Sequence, residues 1–193
     1  MIAEIHDTSY FEAFLAQRAA NKQDRWDEVW EGVYMMAPAP NNEHQDVVDW
    51  IIFVLKLHLR ADGFRINSLR NVSDGRSDWT KNYRIPDVLV FSPSNDARDA
   101  GTHWVGGPDL AIEVLSDGDR ARDKIDFYGR VGTREVLLID RDPWRLELYR
   151  FRGGEMTTEV AMEVVTQSIG VKWRVLGEAE LEMEFADGAG ERF

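Results

Sequence analysis

The stretch PDLAIEVLSDGDRARDK, Pro108 to Lys124, predicts a buried strand, a turn and a helix in succession. LAIEVL has the nearly continuous apolar character of a strand inside a sheet, yet Glu113 lies within it. Glutamate is almost never fully buried unless another group pairs with it. The turn is predicted at Ser116–Gly118 and the helix from Asp119 to about Arg130, with acids at its start, where the helix dipole favours them. The stretch therefore predicts a carboxylate within a sheet and a partner that compensates its charge.

A second apolar strand, RIPDVLVF, carries Asp87 in the same phase as Glu113. If the two strands are neighbours, these carboxylates converge on one hard cation, since Mg²⁺ is held by one or two carboxylates plus waters and substrate phosphate. Lys124 can return to the same place, where a lysine orients a water or neutralises charge in the transition state. Each residue also has an ordinary interpretation. Glu113 could pair with an arginine, Asp87 could mark a strand start, and Lys124 could be solvated.

The length of the chain predicts one domain over residues 1–193, and the order of its predicted helices and strands makes that domain mixed α/β, with strands 155–193 forming an acidic C-terminal part. A hydrophobic content of 44% indicates a folded globule. No apolar run approaches the ~20 residues of a membrane span, and the N-terminus lacks signal-peptide features. The absence of cysteine excludes disulfides and thiolate metal sites. We expect a soluble, cytoplasmic protein.

The pattern along the chain predicts further elements. The first is a helix capped by Thr8 or Ser9, with Tyr10, Phe11, Phe14 and Leu15 on one face. The others are a strand pair Val29–Met36 turning at Gly32, a helix Glu43–Leu59, and strands Phe64–Val72, Ile85–Phe91, 135–140 and 145–151.

The net charge of −12 weighs against nucleic-acid binding without excluding it. Residues 155–193 carry nine acids against three bases, a charge of −6, whereas residues 64–84 carry five bases against two acids, a charge of +3. A local basic patch still contacts phosphates on an acidic protein. The candidate nucleic-acid contacts are Arg76, Lys81 and Arg84, although a solvated loop is the ordinary interpretation of this stretch.

Several spaced motifs together resemble one protein family. RIPDVLVF, the stretch PDLAIEVLSDGDRARDKIDFYGRVGTREVLLID and the upstream WDEVWEGVYMMAPAPNNEHQ are similar to the Uma-two (Uma2) family of the PD-(D/E)XK nuclease superfamily, over about 28–150. The resemblance implies a restriction-endonuclease-like fold, with a central mixed β-sheet flanked by helices and the site at one sheet edge. It also implies Mg²⁺-dependent cleavage of DNA phosphodiesters, with Mn²⁺ as a substitute. Because cutting both strands of a duplex needs two sites, a homodimer is expected.

The resemblance also assigns roles to residues. Asp87 and Glu113 would be metal ligands together with the backbone carbonyl of Val114. The superfamily lysine normally lies two residues after the glutamate, but Leu115 occupies that position here. In Uma2 proteins a lysine four residues before a tyrosine takes its place, and Lys124 and Tyr128 match that spacing.

Two further residues match the family pattern as accessory groups. Glu28 would be a third carboxylate near the metal, or else a surface strand acid. His44 would bind phosphate or transfer a proton, or else cap or pack a helix.

Two other functions compete with the nuclease. A non-catalytic interaction module retaining the fold is favoured by Leu115 and by the acidic charge, and it predicts that Lys124 points away from the acids and that Glu113 pairs with an arginine. A metal-free hydrolase such as a glycosidase uses two carboxylates, but it leaves Lys124 unexplained.

Overall fold

The computed structural model describes residues 3–5, 11–37, 39–177 and 179–193. Within these ranges the chain is mixed α/β, with strands in three sheets and few helices. The helices are α1 (Phe11–Ala20), α2 (Asn42–Leu59), α3 (Ile125–Arg130) and two 3-10 helices, Trp79–Lys81 and Ala121–Lys124. The strands are β1 (Ala3–Ile5), β2 (Glu28–Trp30), β3 (Val33–Met36), β4 (Arg65–Ser68), β5 (Val72–Ser73), β6 (Tyr83–Arg84), β7 (Val88–Phe91), β8 (Arg98–Asp99), β9 (Trp104–Val105), β10 (Leu110–Val114), β11 (Glu135–Arg141), β12 (Trp144–Arg152), β13 (Glu155–Ala161), β14 (Glu163–Thr166), β15 (Val171–Val175), β16 (Leu181–Phe185) and β17 (Gly190–Arg192).

The central sheet has six strands in the order β13-β12-β11-β10-β7-β4. Only its β10–β11 pair is parallel, because the helical segment 121–130 carries the chain across one face between these strands. Both strands read as buried apolar runs, as expected where each face of a sheet is covered. The remaining strands form a seven-stranded sheet, β1-β3-β2-β6-β5-β9-β8, and a four-stranded sheet, β14-β15-β16-β17.

Two hydrophobic cores cover the two faces of the central sheet. On one face, Leu110, Ile112 and Val114 pack with α2 and with the four-stranded sheet. On the other, Ala111 and Leu115 pack with α3 and the 3-10 helix before it. Since side chains alternate along a strand, Glu113 shares the α3 face with Ala111 and Leu115.

Most predicted elements are confirmed, including α2, β11 and β12. α2 begins one residue earlier than predicted, behind Asn41, whose side chain accepts the backbone N–H of His44. The Val29–Met36 prediction is confirmed as β2 and β3, joined at Glu31–Gly32, where both residues have positive φ.

Three predictions need correction or fall outside the description. The single strand predicted over Phe64–Val72 is wrong, because Leu69 has a φ of +50° and the chain divides there into β4 and β5, which join different sheets. The helix predicted over Asp119–Arg130 begins instead as a 3-10 helix. Of the first predicted helix, Thr8, Ser9 and Tyr10 lie outside the described residues. The rest of that helix is α1, and none of the residues of α1 is buried. None of the described helices has the length and apolar content to span a membrane.

Candidate active site

Asp87, directly before β7, and Glu113 on β10 are brought together because β7 and β10 are antiparallel neighbours, the condition under which the sequence placed the two acids together. Val88 pairs with Ile112, so the next step of the same register brings Asp87 beside Glu113. The N–H of Val114 donates to Asp87 Oδ2 at 2.8 Å, which ties the start of β7 to the end of β10. Pro86 supplies no N–H to a ladder, and β7 begins only after it, so Asp87 stands at the strand end.

Lys124 ends the 3-10 helix and points at Glu113 and Glu28. Its Nζ lies 3.1 and 3.2 Å from the two carboxylate oxygens of Glu113 and 3.0 Å from Glu28 Oε1. The side chains of Glu113 and Glu28 are buried, and that of Lys124 is 12% exposed. Glu28 comes from β2 of the seven-stranded sheet, so one ammonium joins two sheets at the site. Both structural expectations of the interaction-module hypothesis are wrong, since Lys124 faces the acids and the described partners of Glu113 include no arginine.

Burial and neighbouring charge oppose ionisation of Glu113. The pKa of Glu113 is raised to about 8: burial is the largest cause, the charge of Lys124 lowers the pKa, and the carboxylates of Asp87 and Glu28 raise it. For Lys124, burial lowers the pKa, but Glu113 and Glu28 outweigh it and the net shift is upward. Lys124 is therefore an ammonium at neutral pH, and it contacts both Glu113 and Glu28.

Tyr128 is a site residue whose contact sequence reasoning did not foresee. Its hydroxyl donates to Glu113 Oε1 at 2.6 Å from a fully buried position on α3. Burial and the charge of Glu113 raise the pKa of Tyr128 well above its usual value, so the hydroxyl keeps its proton. The spacing of Lys124 and Tyr128 was the available signal, because residues four apart share a helix face.

His44 lies in the first turn of α2 and contacts Asp87. Its Nε2 is 3.1 Å from Asp87 Oδ2, while Nδ1 is buried without a partner among the described residues. The helix cap is Asn41, so His44 is not the capping residue. The ring holds Asp87 in place together with the Val114 N–H.

The acids open into a cavity of about 340 Å³. Its polar wall includes Glu28, Asp87, Glu113, Asp117, Asp119 and Lys124. Its apolar wall includes Trp26, Trp30, Met35, Met36 and Pro40. Trp30 Nε1 donates to Glu28 Oε2 at 2.5 Å and so orients the accessory carboxylate. Asp119 Oδ1 accepts the Ala121 N–H at 2.8 Å, at the start of the 3-10 helix.

The donor set of the pocket fits a hard divalent cation. Within the described part of the chain, no cluster of three or more His, Asp or Glu side chains is arranged as an ion site. Mg²⁺ needs only one or two protein carboxylates, because waters and substrate oxygens complete its octahedron. Asp87 and Glu113 supply that number, and the carboxylates here outnumber the cations.

The three predicted nucleic-acid contacts differ in position. Arg76 is 60% exposed and pairs with Glu31 and Asp74 at 3.1 and 2.8 Å, and Lys81 is exposed. Arg84 is only 3% exposed. Its guanidinium lies 4.2 Å from the centre of the Phe127 ring and 4.7 Å from that of Trp30. The assignment of Arg84 as a phosphate contact is corrected, because its side chain is enclosed by aromatic rings and backbone carbonyls.

The sequence model of Uma2, described as "Putative restriction endonuclease", matches residues 11–174. The chain belongs to the Uma2 family. The Uma2 match extends beyond the predicted range at both ends, and it takes in every predicted site residue.

A solved structure supports the fold of this Uma2 protein. The crystal structure at 1.96 Å resolution of a "putative nuclease belonging to DUF820" from Anabaena variabilis ATCC 29413 superposes with a TM-score of 0.56 at 23% identity. The match covers 69% of this chain and 75% of the other. No curated protein matches. The mixed sheet with flanking helices is therefore restriction-endonuclease-like, as predicted.

Proposed function

We propose that this Uma2 protein is a Mg²⁺-dependent endonuclease that hydrolyses phosphodiester bonds of DNA, with Mn²⁺ as a substitute. The observation that carries the proposal is the meeting of Asp87, Glu113 and Lys124 at one cavity wall. Two adjacent carboxylates beside a buried ammonium suit a reaction in which negative charge develops on a phosphoryl group. The family's description as restriction endonucleases supports the same class of reaction.

Asp87 and Glu113 would hold the metal, with the Val114 carbonyl as a candidate further ligand. When bound, Mg²⁺ supplies positive charge to the phosphate and lowers the pKa of water. Glu28 contacts the same ammonium as Glu113 and so helps to hold Lys124 beside Glu113. Tyr128 and His44 orient the two ligand carboxylates through one contact each.

Lys124 acts through its charge. Because its pKa is raised, it keeps its proton at neutral pH and cannot serve as a general base. An ammonium at this position binds a non-bridging phosphate oxygen or orients the attacking water by donating to it. Arg76 and Lys81 are the proposed contacts to the DNA backbone, since both lie at the surface.

The first experiment is a calorimetric titration of Mg²⁺ and of Mn²⁺ into wild type, Glu113→Gln and Asp62→Asn. Asp62 is an exposed acid that does not line the cavity, so it controls for the loss of one carboxylate. We expect saturable binding in wild type and in Asp62→Asn, and a loss on the order of 100-fold or more in Glu113→Gln. Absence of binding in wild type, both free and with a non-hydrolysable DNA duplex, would refute the metal site.

A nuclease assay on plasmid and on linear DNA then tests the reaction. Lys124→Met and Tyr128→Phe keep most of each side chain's volume while removing the donor. We expect Lys124→Met to lower the cleavage rate ~100-fold or more, and Tyr128→Phe to weaken it less. A wild type that binds Mg²⁺ yet cleaves no DNA would favour the interaction module.

A further inference from the structure

The outer edge of the central sheet is a long, open strand. Among the strands that the structure describes, β13 pairs with β12 alone, and its residues 155–160 are all exposed. Met156 is 48% and Val160 59% exposed. Proteins normally protect such an edge with lysine, proline or a very short strand. β13, EMTTEVA, has seven residues and neither lysine nor proline.

The two faces of β13 differ in chemistry. Met156, Thr158 and Val160 pair with Phe151, Tyr149 and Glu147 of β12, so they lie on the face that carries α3. Phe151 and Tyr149 pack against the core on that face. Glu155, Thr157, Glu159 and Ala161 lie on the opposite face. The strand therefore extends an apolar surface outward on one side and carries its acids on the other.

We propose that two copies of this chain form a homodimer by antiparallel pairing of their β13 strands, which joins the two central sheets into one of twelve strands. The pairing is centred on Thr158, which lies opposite Thr158 of the second copy. Met156 then lies between two apolar neighbours, Val160 of the second copy on one side and Phe151 of its own chain on the other. This inference is independent of the proposed function, because β13 lies three strands away from β10.

Charge selects this register over its alternatives. With the pairing centred on Thr158, Glu155 lies opposite Ala161 and Glu159 lies opposite Thr157 of the second copy. A shift of two residues in one direction places Glu155 opposite Glu159, and a shift in the other places Glu159 opposite itself. Like charges directly opposite each other destabilise a strand pair. A one-residue shift would bring the apolar face of one copy beside the acidic face of the other.

Single cysteines test the register. The natural chain contains no cysteine, so each variant carries one thiol. Residues directly opposite in an antiparallel pair have Cα atoms about 4.5–5.5 Å apart, within disulfide range. Thr158→Cys should therefore form a covalent dimer under mild oxidation. Thr157→Cys is the matched control, since two copies of residue 157 would lie roughly 8 Å apart, too far for a disulfide.

Sedimentation velocity measures the association itself. We expect wild type to move from 22.2 kDa towards twice that mass with rising concentration, and added salt to favour the dimer because each copy carries a charge of −12. Val160→Lys should weaken association at least ~100-fold. Val165→Lys, at a 40% exposed position on β14, should not. Three results would each overturn the proposal. They are a wild type that stays monomeric at ~100 µM, a concentration at which even a weak dimer forms, equal cross-linking of the two cysteine variants, and a dimer that Val160→Lys leaves unaffected.

Discussion

Replacing Arg84 by methionine separates a structural role from a DNA-binding role. The Arg84 side chain donates through Nη1 to the carbonyls of Val29 and Tyr83, both at 3.0 Å, and to Asn82 Oδ1 at 3.1 Å. Its guanidinium also faces the rings of Phe127 and Trp30. Methionine keeps the unbranched apolar stem and removes the charge and all donors.

The magnitude follows from these contacts. Nη1 carries two N–H groups that the three acceptors share, and hydrogen bonds from a charged donor contribute about 1.5 kcal/mol per N–H. The two ring contacts contribute about 1 kcal/mol each. Removing the charge returns roughly 2 kcal/mol, because a buried cation has lost its hydration. Burial indeed lowers the pKa of Arg84, and its Nε is buried without a partner among the described residues. We expect a loss of about 3 kcal/mol in the free energy of unfolding, or roughly 6–12 °C in Tm.

Urea unfolding and thermal melts measure this loss, with Arg76→Met as the matched control. The exposed Arg76 should change stability by less than ~0.5 kcal/mol, and its loss should reduce the salt dependence of DNA binding by about one phosphate contact. Arg84→Met should leave that salt dependence unchanged. The structural assignment would be refuted if the free energy of unfolding of Arg84→Met lay within ~0.5 kcal/mol of the wild-type value, or if the substitution changed DNA affinity alone.

Two further predictions concern stability. Although burial opposes ionisation, hydrogen bonds from Arg122 hold the pKa of Glu147 below its ordinary value of 4.5. The pair therefore stabilises the fold above that pH. At pH 7, Glu147→Gln should lower the free energy of unfolding in urea by ~1 kcal/mol, and this difference should disappear as the pH falls through the folded-state pKa of Glu147. An unchanged difference at pH 3, about a unit or more below the usual Glu range, would contradict this. Gly107→Ala places Cβ 2.5 Å from the Thr133 nitrogen and should lower the free energy of unfolding by about 1–3 kcal/mol, measured by thermal melts. The control Gly190→Ala, whose Cβ would lie 3.8 Å from its nearest atom, should leave stability unchanged. Equal melting temperatures of the two variants would show that the backbone at Thr133 moves freely to accommodate the methyl group.

The helices and strands with the strongest local pattern, such as α2, β11 and β12, were confirmed. The two acids stand out because each interrupts an apolar strand, and a buried carboxylate needs compensation wherever the strand lies. That physical demand identified Glu113 and Asp87 before any contact was known. Lys124 was placed nearby because only ten residues separate it from Glu113.

Features that depend on the orientation of a side chain, or on packing between distant parts of the chain, were predicted wrongly or not at all. Arg84 was assigned to the surface because it belongs to a basic stretch, but β6 turns it towards Trp30 and Phe127. The aromatic wall of the cavity, with Trp26 and Trp30, carried no local signal. The break at Leu69 was missed since a positive φ at a leucine is uncommon and has no sequence signature.

The sequence by itself determined the strand and helix periodicities, the two misplaced carboxylates and the family to which they belong, because these depend on residues close together in the chain. Only the tertiary structure decided that Lys124 bridges Glu113 and Glu28, that Tyr128 and His44 hold the acids, and that β13 is left at an open edge. These features arise where strands far apart in sequence become neighbours, and sheet order is set by the packing of whole faces, which no local pattern encodes.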